Sequence, residues 1–454
     1  MNQEKSFLDR LNYWVKTSIG LKVFTIVFLV LILLIPINMV ESLIREREWN
    51  QKDAIQEVSS TWGKDQTITA IVLTVPYVTY STVKGKDDEP DKTVETKRYA
   101  HFLPTELDIT GSLNPEKRKR GIYEVVLYNS ELEISGLFDK PNFKKLNINE
   151  EDVNWSQAYI ELGISDLRSI QNEVAINWLG QKVKFDPGVK NSDVISSGIS
   201  ANVSSSDTTT AYNFDFKLDF NGSDQIQFTP LGKTTNVKLT SDWPDPKFNG
   251  AFLPDYREVT ETGFTADWQV LHLNRNYPQE FKGSMNKTGS SNFGVELFMP
   301  IDHYAKSMRS VKYALLFISL TFLVYFFTQI KNRLRIHPIQ YLMVGLAICL
   351  FFTLLIALSE HLSFDLAYLI GASGTIGMIT AYSFFVFKNK LLTAILSGIL
   401  IILYGFIYII LQMQNYSLLI GSIGLFFILG TVMYMSRNID WYSITKDETH
   451  EKIE

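Results

Sequence analysis

The sequence contains one cysteine, Cys349, in 454 residues. A lone thiol excludes an intramolecular disulfide and any cysteine-based metal site. It does not exclude an oxidising compartment, because a large domain builds a sufficient core without staples. Histidine is also scarce, with six in all. His101, His272 and His303 are scattered, and each reads as a surface or core-edge residue rather than a metal ligand. The signatures G-x-S-x-G and H-E-x-x-H, a Walker loop and an EF-hand pattern are missing. We therefore expect no enzyme activity, no catalytic residue, no cofactor and no metal. A basic excess is missing too: residues 41–310 hold 30 Lys/Arg against 39 Asp/Glu. An acidic domain argues against nucleic acid, which requires a basic footprint to release counterions.

Charge is nearly absent from Tyr313 to Met435, which has five Lys/Arg and two acids. Gly and short polar breaks divide this stretch into five apolar runs: 313–330, 341–358, 366–387, 391–411 and 417–435. Each is close to the ~20 residues a helix needs to cross a bilayer. Leu21–Val40 makes a sixth, with Pro36 predicted to kink it. It reads as a signal anchor, since Ile35-Pro-Ile-Asn-Met39 offers no small-x-small cleavage site. Lys/Arg placement sets the orientation. The N-terminus, the loops after the second and fourth spans, and the tail carry the cations. Ser359–Asp365 and Gln412–Tyr416 carry none. Six spans put every basic segment on one side, so both termini are expected to be cytoplasmic and residues 41–310 external.

Segment boundaries follow. Residues 1–20 form a cytoplasmic segment with an apolar helix face (Phe7, Leu8, Leu11, Trp14, Val15), read as the interfacial end of the first span or as a partner-docking helix. Residues 21–40 are the anchor and 41–58 a charged helical stalk with Glu41/Arg45 and Glu48/Lys52 pairs. Residues 59–310 are β-rich, 311–435 form a five-helix membrane domain, and 436–454 are a polar tail. In the β-rich part, Tyr212, Phe214, Phe216, Leu218 and Phe220 alternate with polar residues, which is a half-buried strand. Similar runs lie at 68–80, 121–128, 131–138, 157–164, 226–228, 235–240, 264–273 and 293–298, with turn chemistry between them. This predicts a largely antiparallel β domain in one or two sheets, with a short helix in 165–177. The class is an α+β membrane protein: one N-terminal and five C-terminal transmembrane helices around a large, mostly antiparallel β domain.

Two groups of residues are candidate sites. Glu360, His361 and Asp365 share the short outer loop and include the only acids of the membrane block. They read as interfacial loop residues, or as a polar cluster that pairs with the outer domain or conducts protons or an ion. No acid or Lys/Arg stands at mid-span, which weakens a transport reading. Trp243, Phe248 and Phe252 lie among Pro244, Pro246 and Pro254. They read as a structural corner or as an exposed aromatic edge for a partner. Gly371, Gly374 and Gly377, and Gly421 with Gly424, are expected to let helices pack closely.

Several motifs recur in order along the chain: Leu34-Ile-Pro-Ile37, Phe102-Leu-Pro104, Gly121-Ile-Tyr123, Leu239-Thr-Ser-Asp-Trp-Pro244, Gly250-Ala-Phe-Leu-Pro254, Glu261-Thr-Gly-Phe264, His337-Pro-Ile-Gln-Tyr341, Leu358-Ser-Glu-His361 and Asn438-Ile-Asp-Trp-Tyr442. In this order and spacing the chain resembles the CreD family of bacterial inner-membrane proteins over nearly its whole length. The resemblance implies a Gram-negative inner membrane, a periplasmic β domain and a link to cell-envelope integrity and stress tolerance. It implies no enzyme activity and supplies no catalytic residues. The expected partners are membrane lipids and an envelope protein, lipid or glycan. The rival expectation is a channel or transporter gated by the periplasmic domain.

Overall fold

The structure is a computed structural model that describes residues 19–83, 91–203, 211–284, 288–297, 299, 303–332, 334–413 and 416–437. The N-terminal apolar face up to Val15, most of the polar stretch 85–92, part of 191–210 and Asn438–Tyr442 lie outside them. The chain divides into a helical unit, Met1–Asn50 with Ile301–Glu454, and a β unit, Gln51–Pro300.

The helical unit begins with α1 (Ile19–Trp62), a 44-residue helix that runs on through Pro36 and ends in the β unit. Anchor and stalk are thus one element. α2 (His303–Lys312) is short and basic, and Tyr313 separates it from α3 (Ala314–Lys331). α4 (Pro338–Ser359) starts on a capping box: the His337 ring accepts from the Ile339 amide, and Gln340 accepts from the His337 amide at 2.9 Å. Pro338 costs nothing at this first helical position, where its missing donor has no intrahelical partner. α5 (Phe364–Phe387) and α6 (Lys390–Gln412) are capped by Ser363 and Asn389. Among the described residues α1, α3, α4, α5 and α6 are long and apolar enough to cross a membrane. α7 (Ser417–Ser436) holds a shorter apolar stretch, Leu419–Tyr434.

Lipid offers no hydrophobic drive between helices, so packing and polar contacts hold them together. Phe317, Phe351, Phe352 and Tyr404 form a buried aromatic cluster shared by α3, α4 and α6. The Tyr341 hydroxyl donates to Gln329 and the Tyr368 hydroxyl to the Tyr404 carbonyl, both at 2.8 Å. Tyr325 bonds Ser383. At Gly345 a Cβ would stand 2.2 Å from the Leu33 side chain, so this glycine lets α1 approach α4. The expected glycine ridges pack only in part: Gly371 faces Phe351 and Gly424 faces Phe406, while Gly374, Gly377 and Gly421 face open space.

The β unit contains two sheets. The first runs β13 (Pro246–Gly250), β17 (Phe293–Leu297), β11 (Gln225–Thr229), β1 (Gln66–Val83), β5 (Tyr159–Ile164), β9 (Gly198–Asn202), β8 (Asp186–Pro187). There β2 (Lys92–Phe102) pairs with both β1 and β16 (Glu280–Lys282). The second runs β14 (Tyr256–Thr260), β15 (Gly263–Leu271), β12 (Thr234–Ser241), β3 (Glu106–Arg120), β4 (Tyr123–Asp139), β10 (Ala211–Ser223), β6 (Ala175–Trp178), β7 (Gln181–Lys184). Pairing is antiparallel except for β1 with β11 and β12 with β3. The inward residues of both sheets meet in one core: Ile68, Ile160, Ile226 and Phe293 from the first, and Ile109, Ile134, Phe216 and Trp268 from the second. The segment expected to hold a short helix instead forms one 3-10 turn, Leu167–Ser169, before β6. Asp166 captures its own downstream amide and the Arg168 side chain there, which closes a turn rather than a helix.

Candidate functional sites

At one end of the helical unit, α4 stops at Ser359 and α5 begins after Ser363. Glu360 follows α4 with its side chain 11% exposed, and its carboxylate lies 3.6 Å from the Arg47 guanidinium of α1. The Tyr304 hydroxyl of α2 donates to the same carboxylate at 3.2 Å. Asp365 lies in the first turn of α5, where a negative charge favours the helix dipole. It accepts from the Gln412 amide at the end of α6. Gln412 also bonds the Tyr408 hydroxyl at 3.0 Å and accepts from Lys306 of α2 at 3.3 Å.

His361 is exposed, and its ring makes no hydrogen bond among the described residues. The three loop residues therefore do not converge on one point. Glu360 and Asp365 anchor two networks, and α2 contributes Tyr304 to the first and Lys306 to the second. Chemically these networks clamp α2 against α1, α4, α5 and α6 with charged hydrogen bonds. The sequence held no local signal for Arg47, Tyr304, Lys306 or Gln412, which come from distant segments.

The aromatic group lies in the β unit. Trp243 is 6% exposed, part of the core, with the Lys117 ammonium 5.2 Å from its ring centre. Phe248 is half-buried and meets Phe264 and Trp268 edge to face at 5.7 and 5.8 Å. Phe252 packs on Phe293 in the same way, at 5.9 Å. All three turn inward. The exposed apolar side chains nearby are Leu253, Tyr256 and Val259.

A third cluster was not foreseen. His101 is fully buried rather than at a surface or core edge. Its Nδ1 pairs with the Thr74 hydroxyl at 3.0 Å and its Nε2 with the Asp193 carboxylate at 3.2 Å. The Phe281 ring stacks on it, and burial pushes its pKa down against the opposing pull of Asp193. Beside it, buried Glu161 accepts the backbone amides of Lys190 at 2.7 Å and Asn191 at 3.2 Å. A hydroxyl, an imidazole and a carboxylate in sequence resemble a nucleophilic relay. Thr74 has no exposed surface, however, so its hydroxyl reaches no substrate. The cluster fastens the 188–197 segment to the first sheet. Its only sequence signal is that His101 directly precedes Phe102-Leu-Pro104.

Among the described residues no three His, Cys, Asp or Glu side chains form a metal-binding group. The family model described as Inner membrane protein CreD matches residues 18–442. The Inner membrane protein CreD of Escherichia coli (strain K12) is 33% identical over 422 residues, covering 92% of each chain.

Proposed function

The chain belongs to the CreD family of inner-membrane proteins, and from that premise we propose a non-enzymatic protein that supports cell-envelope integrity and stress tolerance. Its β unit binds an envelope component, and its helices serve as the platform. In this reading α1 and α3 to α7 are six spans, both termini are cytoplasmic, and residues 41–310 are periplasmic. The placement of Lys331, Arg335, Lys388 and Lys390 in alternate loops supports that orientation.

One observation carries the reading: the β unit is an insertion whose two ends both lead into membrane helices. A large domain tethered at both ends stays beside the bilayer and the envelope next to it. The test is photo-crosslinking in intact cells from exposed positions of the β unit, with adducts identified by mass spectrometry. A recurrent envelope protein, lipid or glycan is the expected result. Adducts no different from those of an unrelated membrane protein would refute the reading.

The alternative, a channel or transporter gated by the β domain, has one observation in its favour: the Lys306–Gln412–Asp365 string between α2, α5 and α6. Proton or ion flux into liposomes decides it. Flux no greater than in empty liposomes, under any gradient, rejects it.

A further inference from the structure

The outward face of the second sheet carries a row of hydroxyls. Register pairs Glu258 of β14 with Thr265 of β15, Thr265 with Thr240 of β12, and Thr240 with Ser112 of β3. Residues directly opposite across a sheet share a face. These four side chains therefore form one line over four strands, while their neighbours Leu113, Leu239 and Ala266 point into the core. The line borders a shallow groove, open to solvent, of about 390 Å³. Gly263 lets the Ser241–Asp242 backbone pass close to β15 at the edge of this line: a Cβ there would stand 2.1 Å from the Ser241 carbonyl.

The chemistry of the lining selects the ligand. Ser112, Asn114, Asp242 and Thr265 line the groove, and their side chains make no hydrogen bond to other described residues. Neutral donors and acceptors thus stand ready beside two carboxylates, Asp242 and Glu258. No Lys or Arg lines the groove, so an anion has no counter-charge. Among the described residues no third metal-ligating side chain completes a cation site. Tyr256 stands two residues before Glu258 on the same strand face, 53% exposed, and its hydroxyl donates to Glu258 at 3.2 Å. It offers an aromatic ring next to the hydroxyl row. Carboxylates that accept from paired hydroxyls, neutral hydroxyl partners and an exposed phenol ring are what a sugar requires. The strand spacing of about 4.8 Å is close to the ring repeat of an extended β-1,4-linked glycan.

We propose that this groove binds a neutral β-1,4-linked glycan laid across β14, β15, β12 and β3. The inference rests on the reading that the β unit binds an envelope component, and it names the class and the site. The full-length protein in detergent is titrated calorimetrically, to millimolar concentrations, with tetra-N-acetylchitotetraose and with cellotetraose. Saturable binding of at least one is expected, and a preference tells an acetamido glycan from a plain glucan. Asp242→Asn with Glu258→Gln weakens binding about tenfold, the loss of roughly one charge-assisted hydrogen bond. Thr265→Val, nearly isosteric, weakens it several-fold with thermal unfolding unchanged. No saturable binding of either sugar, or equal binding by the double variant, overturns the inference. If both sugars fail while in-cell crosslinks to an envelope component persist, only this inference falls. If the crosslinks fail as well, the broader reading falls with it.

Discussion

Replacing Asp224 with Asn is expected to stabilise the β unit at neutral pH. Asp224 sits between β10 and β11 in the left-handed conformation, φ 57°, which Asn adopts readily. Burial, and then the charges of Asp65 and Glu296, push its carboxyl up from 3.8 to about 6. A folded-state pKa above the unfolded one means that the folded protein binds the proton more tightly. The stability this contributes is complete below the unfolded pKa and is lost as pH rises through about 6. Above that, the ionised side chain opposes folding by up to about 3 kcal/mol for a shift from 3.8 to about 6. Asn keeps the shape and removes the charge. A unit this size gains about 2–4 °C per kcal/mol, so the upper bound is about 6–12 °C. Intrinsic tryptophan fluorescence suits the assay, because Trp62, Trp155, Trp178, Trp243 and Trp268 all lie in the β unit. Melting curves of wild type and Asp224→Asn should diverge from pH 5 to pH 8, with the variant higher at pH 8. A difference that stays constant across that range, or a variant that melts lower at pH 8, refutes the reasoning.

Other outcomes follow from the same geometry. Burial depresses the His101 pKa, so the stability supplied by its neutral ring is lost as pH falls below 6.5; the protection factor of the Asp193 amide, its exchange relative to the intrinsic rate at each pH, should fall on acidification and stay constant in His101→Gln. Gly294→Ala puts a Cβ 2.0 Å from the Ile226 carbonyl, so β17 should be forced off β11 at a cost of about 1–3 kcal/mol or more, read as a lower urea midpoint. Cysteine at Thr93 should react with an impermeant thiol reagent in cells with a permeabilised outer membrane, and cysteine at Asn332 should not; the reverse pattern inverts the proposed orientation. Native Cys349 is buried and adds no background.

The elements that sequence reveals are those with one unbroken physical period. Tyr212–Phe220 alternates cleanly, and it is the middle of β10. The apolar runs 341–358, 366–387 and 391–411 sit inside α4, α5 and α6, ending within about three residues of them. Strands without a period escape. β2 is exposed over most of its length from Lys92 to Arg98, so it has no apolar face to alternate. β3 hides its core residues Leu107, Ile109 and Leu113 before the charged run Glu116–Arg120. Asn129 and Ser130 look like a turn that would split β4, yet both are paired on each side, with Asn114 and Leu113 of β3 and with Asn221 and Phe220 of β10. Sites are less legible than elements, because they depend on register. The Glu360 partners Arg47 and Tyr304 belong to other helices, and the row Glu258–Thr265–Thr240–Ser112 exists only once four strands are aligned.

The position of β1 bears on how the chain matures. It is the first strand of its unit and stands inside its sheet, yet the partner on one side, β11, lies 160 residues further along at the Thr69–Thr229 contact. Contacts this distant form slowly, because loop closure comes before any reward. While synthesis proceeds, Ile68, Ala70, Ile71 and Val72, all without exposed surface in the finished fold, have no sheet to cover them. A β-branched strand waiting with a free edge is a template for wrong pairing. Off-pathway pairing therefore competes with closure of this edge, so the yield on refolding should fall as protein concentration rises.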